Sequence, residues 1–405
     1  MANDYIIKNS NGKDIIYKNV EYVALTDTNG NQKIFSEDKA ELRMYGKYSV
    51  KVIDYEGTVL KQEWLNTGEV FTLPEPPVHD RLVFQEWVAT EYIQDGEISV
   101  LDSDIIVGPI YTTKSGLSEF DIEVTKATGL SITFNMNGTK NWGDGTSDTA
   151  TTHTYSSYGK YTITCDGSQI SGSYNNGLFG SSSSNSVGAC KGIHIGANIT
   201  AFDSFDFTYC SAVEYFTVPN TVTTIGSDSL SGLYRLKTFI FPKLNITAVN
   251  APSLRSSFSL RNLIIPIEMN RIGALQDCIS LTEVIFHRNL TSIGTLTGAS
   301  IRYLTYPPQV TTIYNINRNI MMQSVKYLGD IGNITDATFY QYNYCVGIYD
   351  FRNCSKVPSI TSSPFQGINK SCKIIVPDEL YSEWIVATNW TTVANHICKA
   401  SEVEE

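Results

Sequence analysis

The sequence predicts a mostly β, multi-domain protein, with small β modules in front and a solenoid of short repeats behind. Three observations carry that prediction. Tyr (24 residues) and Phe (17) stand beside abundant Thr, Ser, Asn and Gly, the composition of strands joined by tight turns, and long Ala/Glu/Lys/Leu helical stretches are missing. Short apolar runs recur through the C-terminal half at steps in the low twenties. Charge is also divided unevenly. Residues 1–190 hold 14 Lys+Arg against 25 Asp+Glu, a balance of −11, while residues 191–405 hold 16 of each. An acidic front and a neutral back read as different modules, and 405 residues at roughly 150 per domain suggest about two to four of them.

Composition also excludes function classes. A hydrophobic fraction of 42% with 18% charged residues supports packed cores and rules out a mostly disordered chain. The net charge of −11 argues against nucleic-acid binding, which needs a positive surface. No stretch approaches the roughly 20 apolar residues that span a bilayer, so membrane insertion is not expected. The opening MANDYIIKNSNGKD lacks a basic region followed by an apolar run, so the chain is expected to be made in a cytosol and not exported by itself. Eight cysteines without any CxxC pair read as buried free thiols rather than a zinc or redox site.

Residues 1–45 open with short β-prone runs, Tyr5-Ile6-Ile7, Ile15-Ile16-Tyr17 and Val20 to Leu25. Asn29-Gly30 then marks a hairpin, because both central residues take positive φ, and Lys33-Ile34-Phe35 returns. So small a piece buries little alone and is expected to attach to a partner surface. A second unit covers 46–114, with strands around Val50-Lys51-Val52 and from Val59 to Trp64, a Glu56-Gly57 turn, Phe71-Thr72-Leu73-Pro74, a bend at Pro76-Pro77, and Val83 to Trp87. Gly68, then LPEPP, then Phe84-x-x-Trp87 resembles the Listeria–Bacteroides repeat, a small β-grasp-like module of surface proteins, with Glu86-Trp87 where that family has Gly-Trp. The resemblance implies spacing or adhesion, not catalysis.

The third unit, 115–170, centres on Trp142-Gly143-Asp144-Gly145-Thr146, followed by His153-Thr154-Tyr155 and Gly159-Lys160-Tyr161-Thr162-Ile163. Glycines at 143 and 145 permit a tight turn, and Trp142 supplies a large apolar anchor. These three pieces in order resemble the PKD domain, which implies an immunoglobulin-like β-sandwich. Asp144 and His153 invite a catalytic reading, but no nucleophile or third partner accompanies them, so they read as a loop brace. Residues 171–189, rich in Ser, Gly and Asn, read as a linker.

The remainder, 190–400, is repetitive. Tyr215-Phe216-Thr217-Val218-Pro219, Thr238-Phe239-Ile240-Phe241-Pro242, Asn262-Leu263-Ile264-Ile265-Pro266, Glu283-Val284-Ile285-Phe286-His287 and the weaker Tyr303-Leu304-Thr305-Tyr306-Pro307 align, their ends stepping by 23, 24, 21 and 20. A second signature follows most copies: Val222 to Gly226, Arg271-Ile272-Gly273, Leu290 to Gly294, Val310 to Ile313. Small polar turns carry Cys210, Cys278 and Cys354; the first two stand at equal register and are assigned to one interior slot. One apolar strand per copy is the mark of stacked coils sharing a core. The combined pattern resembles the BspA-type leucine-rich repeat of bacterial surface and phage-associated proteins. Lys373-Ile374-Ile375-Val376-Pro377, Trp384 and Ala387-Thr388-Asn389-Trp390 look like that family's C-terminal cap, where Trp384 and Trp390 cover the last coil. Between about Asn315 and Gly367 the repeats are irregular.

No Walker loop, G-x-S-x-G or H-E-x-x-H is present, and the five histidines (79, 153, 194, 287, 396) form no constellation. His194 and His287 fall in strand-like repeat segments, as packing or surface residues. Glycan hydrolysis needs two carboxylates in one cleft, and no pair stands out. No catalytic residue, cofactor or metal ligand is therefore assigned. The expected function is a bacteriophage virion component, a head or tail fibre or decoration protein. Residues 1–45 would dock to other virion proteins, and the repeats would bind a host cell-surface protein or glycan. The alternative is a bacterial cell-surface adhesin of BspA type. Tyr215, Tyr303, Tyr327 and Tyr349 are the candidate contact residues, since tyrosine offers large area and a polar tip; the competing reading packs them within the sheet. A homo-oligomer would suit a fibre, but no coiled-coil heptad specifies one.

Overall fold

The computed structural model describes residues 48–403, apart from 126–128, 182, 245–250, 315, 317–320, 336–337 and 339–344, and the backbone of four strands ahead of them. Those four form two antiparallel hairpins, Asn3–Lys8 with Asp14–Val20 and Tyr22–Thr26 with Gln32–Ser36. The Asn29-Gly30 turn and the side chains of residues 1–45 lie outside the described residues.

Next comes a four-stranded sheet in the order Val59–Leu65, Tyr48–Ile53, Ile105–Thr113, Leu82–Ala89, whose central pair is parallel and outer pairs antiparallel. No helix occurs among the described residues of this unit. Its Ile105–Thr113 strand is apolar almost throughout because both of its faces are buried. Val50, Val52, Ile105 and Val107 pack under the antiparallel pair Val70–Thr72/Glu97–Ser99 with Phe71 and Ile98. Ile53, Ile106, Ile110 and Tyr111 point the other way, against Ile240 and Ile264 of the repeats.

The third unit and the solenoid are continuous. One six-stranded sheet runs Ser147–Asp148, Lys140–Asn141, Gly159–Cys165, Ser118–Val124, Cys190–His194, Tyr215–Thr217. Its strands within the third unit are antiparallel, and the pairing becomes parallel between Cys190–His194 and the first repeat strand. A two-stranded sheet, Leu130–Thr133 with Thr152–Tyr155, completes the core with Phe120, Phe134, Trp142 and Tyr155. The stretch read as a linker does not space two units apart. Leu178 and Phe179 are buried in this shared core, Phe179 at 5.4 Å from the Phe134 ring, and the buried Ser186 hydroxyl donates to the Phe179 carbonyl at 2.6 Å. Two apolar side chains at about 2 kcal/mol each pin a segment whose Ser/Gly composition looked mobile.

The coils stack parallel strands in register: Thr238 opposite Asn262, and Tyr303, Ser324, Ile348 and Lys373 side by side across successive coils. The stretch expected to be irregular thus keeps the period through Ser324–Tyr327 and Ile348–Asp350, with Val325, Tyr327, Tyr349 and Phe351 on the core side. The second signature forms its own short parallel ladders, such as Ala201–Phe202 with Thr224–Ile225 and Arg271–Ile272 with Ser292–Ile293. Glycine closes these because the coils nearly touch: a Cβ on Gly294 would lie 2.5 Å from the Gly273 backbone.

Cys210, Cys278 and Cys354 are buried free thiols, and the last two donate to carbonyls one coil back, Leu254 at 3.2 Å and Gly329 at 3.3 Å. Trp384 and Trp390 close the far end, fully buried, with ring centroids 5.2 Å apart and both against Phe351.

Candidate interaction surface

In each coil strand, alternate residues enter the core and the others form an outward face. From Tyr215 to about Ile285 that face is covered by the 48–114 unit. Gly108 is what lets the Ile105–Thr113 strand approach, since a Cβ there would lie 2.5 Å from Ile264 Cδ1 and 2.7 Å from Ile240 Cδ1. Gly57, at φ +92°, does the same for the 54–58 turn, over Thr238 and Asn262.

Polar contacts rim this apolar seam. The Ile267 amide donates to the Ala89 carbonyl at 2.8 Å, and Lys243 Nζ lies 2.7 Å from Glu86. Asn220 reaches Glu86 with its side chain (2.6 Å) and Gln85 with its amide (2.9 Å). Arg288 grips both carboxylate oxygens of Glu91, which is nearly buried.

A second cluster lies where the three units meet. Arg81 makes a two-pronged contact with Asp121 (2.9 and 2.6 Å) and a further one with Glu119 (3.2 Å). Burial alone would raise the Asp121 carboxyl, but hydrogen bonds from Arg81, Tyr215 and Thr162 hold it below the usual range. Beside it, Tyr55, His79, Tyr111, His194 and Tyr215 form an aromatic box, with His79 Nε2 3.0 Å from Asp54.

From Tyr303 onward the front unit no longer covers the outward face, although Asp350 and Ile375, in line with Thr305 and Lys326, are themselves buried. Tyr303 is 59% exposed, its hydroxyl donating to Gln323 at 2.7 Å. Thr305, Ile348 and Lys373 are exposed and Lys326 is half-buried; Lys326 and Lys373 have no ion pair among the described residues. Asp350 is tied to the Arg352 guanidinium at 3.0 Å.

Of the four tyrosines expected to form a contact face, only Tyr303 is exposed. Tyr215 is half-buried inside the joint, its hydroxyl donating to Asp121 at 2.7 Å and its ring stacked on His194 at 5.4 Å. Tyr327 and Tyr349 are 1% and 0% exposed: they share the parity of Val325 and Ile374, which point into the coil, so they pack the core. Tyr303 has the opposite parity and faces solvent. The register across the open sheet was the signal that would have found Lys326, Ile348 and Lys373, since Tyr303 lies in line with Ser324, Ile348 and Lys373.

Elsewhere, Asp144 and His153 do meet, at 2.8 Å, with Thr146 also donating to Asp144 and the His153 ring stacked on Trp142 at 4.6 Å. That arrangement braces the 142–153 loop and presents no nucleophile. His194 and His287 are both buried packing residues. Among the described residues no group of three or more His, Cys, Asp or Glu is placed to hold a metal ion, and no helix is long and apolar enough to cross a membrane.

Residues 200–324 match, in 6 copies, the family described as BspA type leucine rich repeat region. No curated protein matches the chain. Among solved structures, a leucine-rich repeat protein from Bacteroides ovatus ATCC 8483 is similar at 15% identity, over 46% of this chain and 62% of that one, with a TM-score of 0.21. This chain therefore spans less than two thirds of that protein's length. With its stacked parallel strands and its family match, the segment 200–324 is similar to the BspA-type leucine-rich repeat region.

Proposed function

We propose that the chain is a non-enzymatic binding protein carried on a bacteriophage particle, as a head or tail fibre or decoration component. In this reading residues 1–45 anchor it to other virion proteins, and the uncovered half of the strand face meets a host cell-surface protein or glycan. The observation that carries it is the divided face: the protein binds its own front unit over one half and leaves Tyr303, Thr305, Ile348 and Lys373 bare on the other. Repeat solenoids present such extended faces to partners. The 46–114 and 115–170 units, read as Listeria–Bacteroides-repeat-like and PKD-like, brace the first coils. All eight cysteines are free, as suits assembly in a reducing cytosol before release by lysis.

The test is to locate the chain in purified particles, then to compare adsorption of particles carrying Tyr303→Ala with Lys326→Glu against the unaltered ones. Loss of adsorption with a folded protein is the expected result; full adsorption removes the open face from the reading. A bacterial cell-surface adhesin is the second reading, favoured by the BspA-type match, and detection of the chain on intact cells instead of particles would select it.

A further inference from the structure

Two histidines lie under the front unit, on the covered half of the strand face. His194 is 2% exposed, with Nδ1 3.0 Å from the Thr217 hydroxyl, its ring stacked on Tyr215 and meeting the edge of Tyr55 at 5.7 Å. His287 is 3% exposed, with the Pro266 carbonyl near its ring but outside ordinary hydrogen-bond geometry.

The charged groups that face them are already committed. Around His194 stand Arg81, Asp121 and His79, with Glu119 directly opposite on the neighbouring strand. Asp121 is taken by Arg81, Tyr215 and Thr162, Glu119 by Arg81 and Ser115, and Asp54 by His79. Around His287 stand Arg288 and Glu91, which hold each other. A proton added to either imidazole therefore places a cation beside a guanidinium, out of water, with no free carboxylate to meet it.

We propose that the joint between the 48–114 unit and the repeat face is an acid-sensitive latch, in which protonation of His194 and His287 releases the front unit and bares Ile240, Ile264 and Ile285. The inference stands apart from the reading of the open face, because it concerns the covered half alone. Burial pushes both histidines down to about 4, against about 6.5 for a solvated imidazole. The sign follows from that direction. Only the neutral form fits the closed joint, so closure is fully favoured above about pH 6.5. It then weakens about tenfold per histidine for each pH unit down to about 4. At pH 5 the two together weaken closure by about a thousandfold relative to pH 7.5. Asp121, held below the usual carboxylate range by Arg81, Tyr215 and Thr162, stays ionised through this window.

The experiment uses the full chain between pH 7.5 and 5.0. It follows 8-anilinonaphthalene-1-sulfonate fluorescence and the radius of gyration by solution scattering, with far-ultraviolet circular dichroism as the check on folding. Dye binding and radius should rise together below about pH 6 while the dichroism holds. The His194→Gln/His287→Gln protein, neutral at every pH, should stay closed at pH 5. A wild type closed throughout, or a double variant that opens at the same pH, overturns the latch. If the double variant does not fold, a proton NMR titration of the wild-type imidazoles decides the matter. His194 and His287 titrating at ordinary values in a closed molecule also overturn the latch, and depressed values with opening support it.

Discussion

The covered and bare halves of one strand face are built from the same repeat yet differ in what their outward positions hold. Under the front unit the row reads Thr217, Ile240, Ile264 and Ile285, and an apolar seam forms. In the open sheet the same row continues with Thr305 and Lys326, then with the buried Asp350 and Ile375, and the neighbouring row with Tyr303, Ser324, Ile348 and Lys373. The inward residues stay apolar in both halves, so coil stacking is indifferent to the outward row. The outward row decides whether a coil is part of the protein's own interior or a surface for something else. Apolar area is worth about 25 cal/mol per Å² when water is removed, which only the covered half gains.

The sharpest way to break this contrast is at its two supports. The bare half has no front unit against it and leans on its cap, so Trp390→Ala should destabilise by about 3–5 kcal/mol, seen as a lower denaturant midpoint. On the covered half, Gly108→Val forces a side chain into Ile240 and Ile264; about 1–3 kcal/mol of destabilisation is expected, with proteolysis between residues 48 and 114 enhanced. Either variant melting like the wild type would show that its half is supported elsewhere. Glu91→Ala strands the Arg288 guanidinium at the seam. Because Arg288 remains partly in water, the loss should be smaller, about 1–2 kcal/mol, and should shrink in high salt. Ile348→Ala on the open face should cost least, about 1 kcal/mol, because the side chain is partly in water already, and a loss above about 2 kcal/mol would mean that this surface is covered in the intact molecule.

The thiols give a comparison along the whole solenoid. Burial pushes Cys278, Cys354 and Cys372 up to about 12 and Cys210 higher still, so at pH 8 all four remain protonated and shielded. Aromatic disulfide reagents should label none of them in the native protein and all of them in denaturant. Prompt native labelling of Cys278 but not Cys354 would reveal that the covered half opens more readily than the bare one.

Much of this architecture was legible in advance. The steps of 20 to 24, the second signature and the paired tryptophans each report a local requirement: one apolar strand, one glycine corner, one sealed end. Equal register placed Cys210 and Cys278 in the same buried slot, where the structure has them. Parity along a strand was equally readable, and applying it would have set Tyr327 and Tyr349 inside beside Val325 and Ile374 rather than with Tyr303. The coil at Ser324–Tyr327 escaped notice because it lacks the terminal proline of its neighbours, although its spacing from Tyr303 is regular. Leu178 and Phe179 were masked by the serines around them, since composition averages over a segment while a core needs only the two side chains that reach it.

The chain's own pattern determined the strand content, the stacked coils and the inward row, because these follow from nearest-neighbour geometry and the alternation of apolar residues. Only the tertiary structure decided that the 48–114 unit folds back onto the first coils and leaves the last ones bare. That choice rests on contacts between residues far apart in sequence: Gly108 against Ile240 and Ile264, Glu91 with Arg288, Arg81 with Asp121. Each of these residues has an ordinary local context, and it is their meeting in space, through excluded water and matched charge, that selects which face is free.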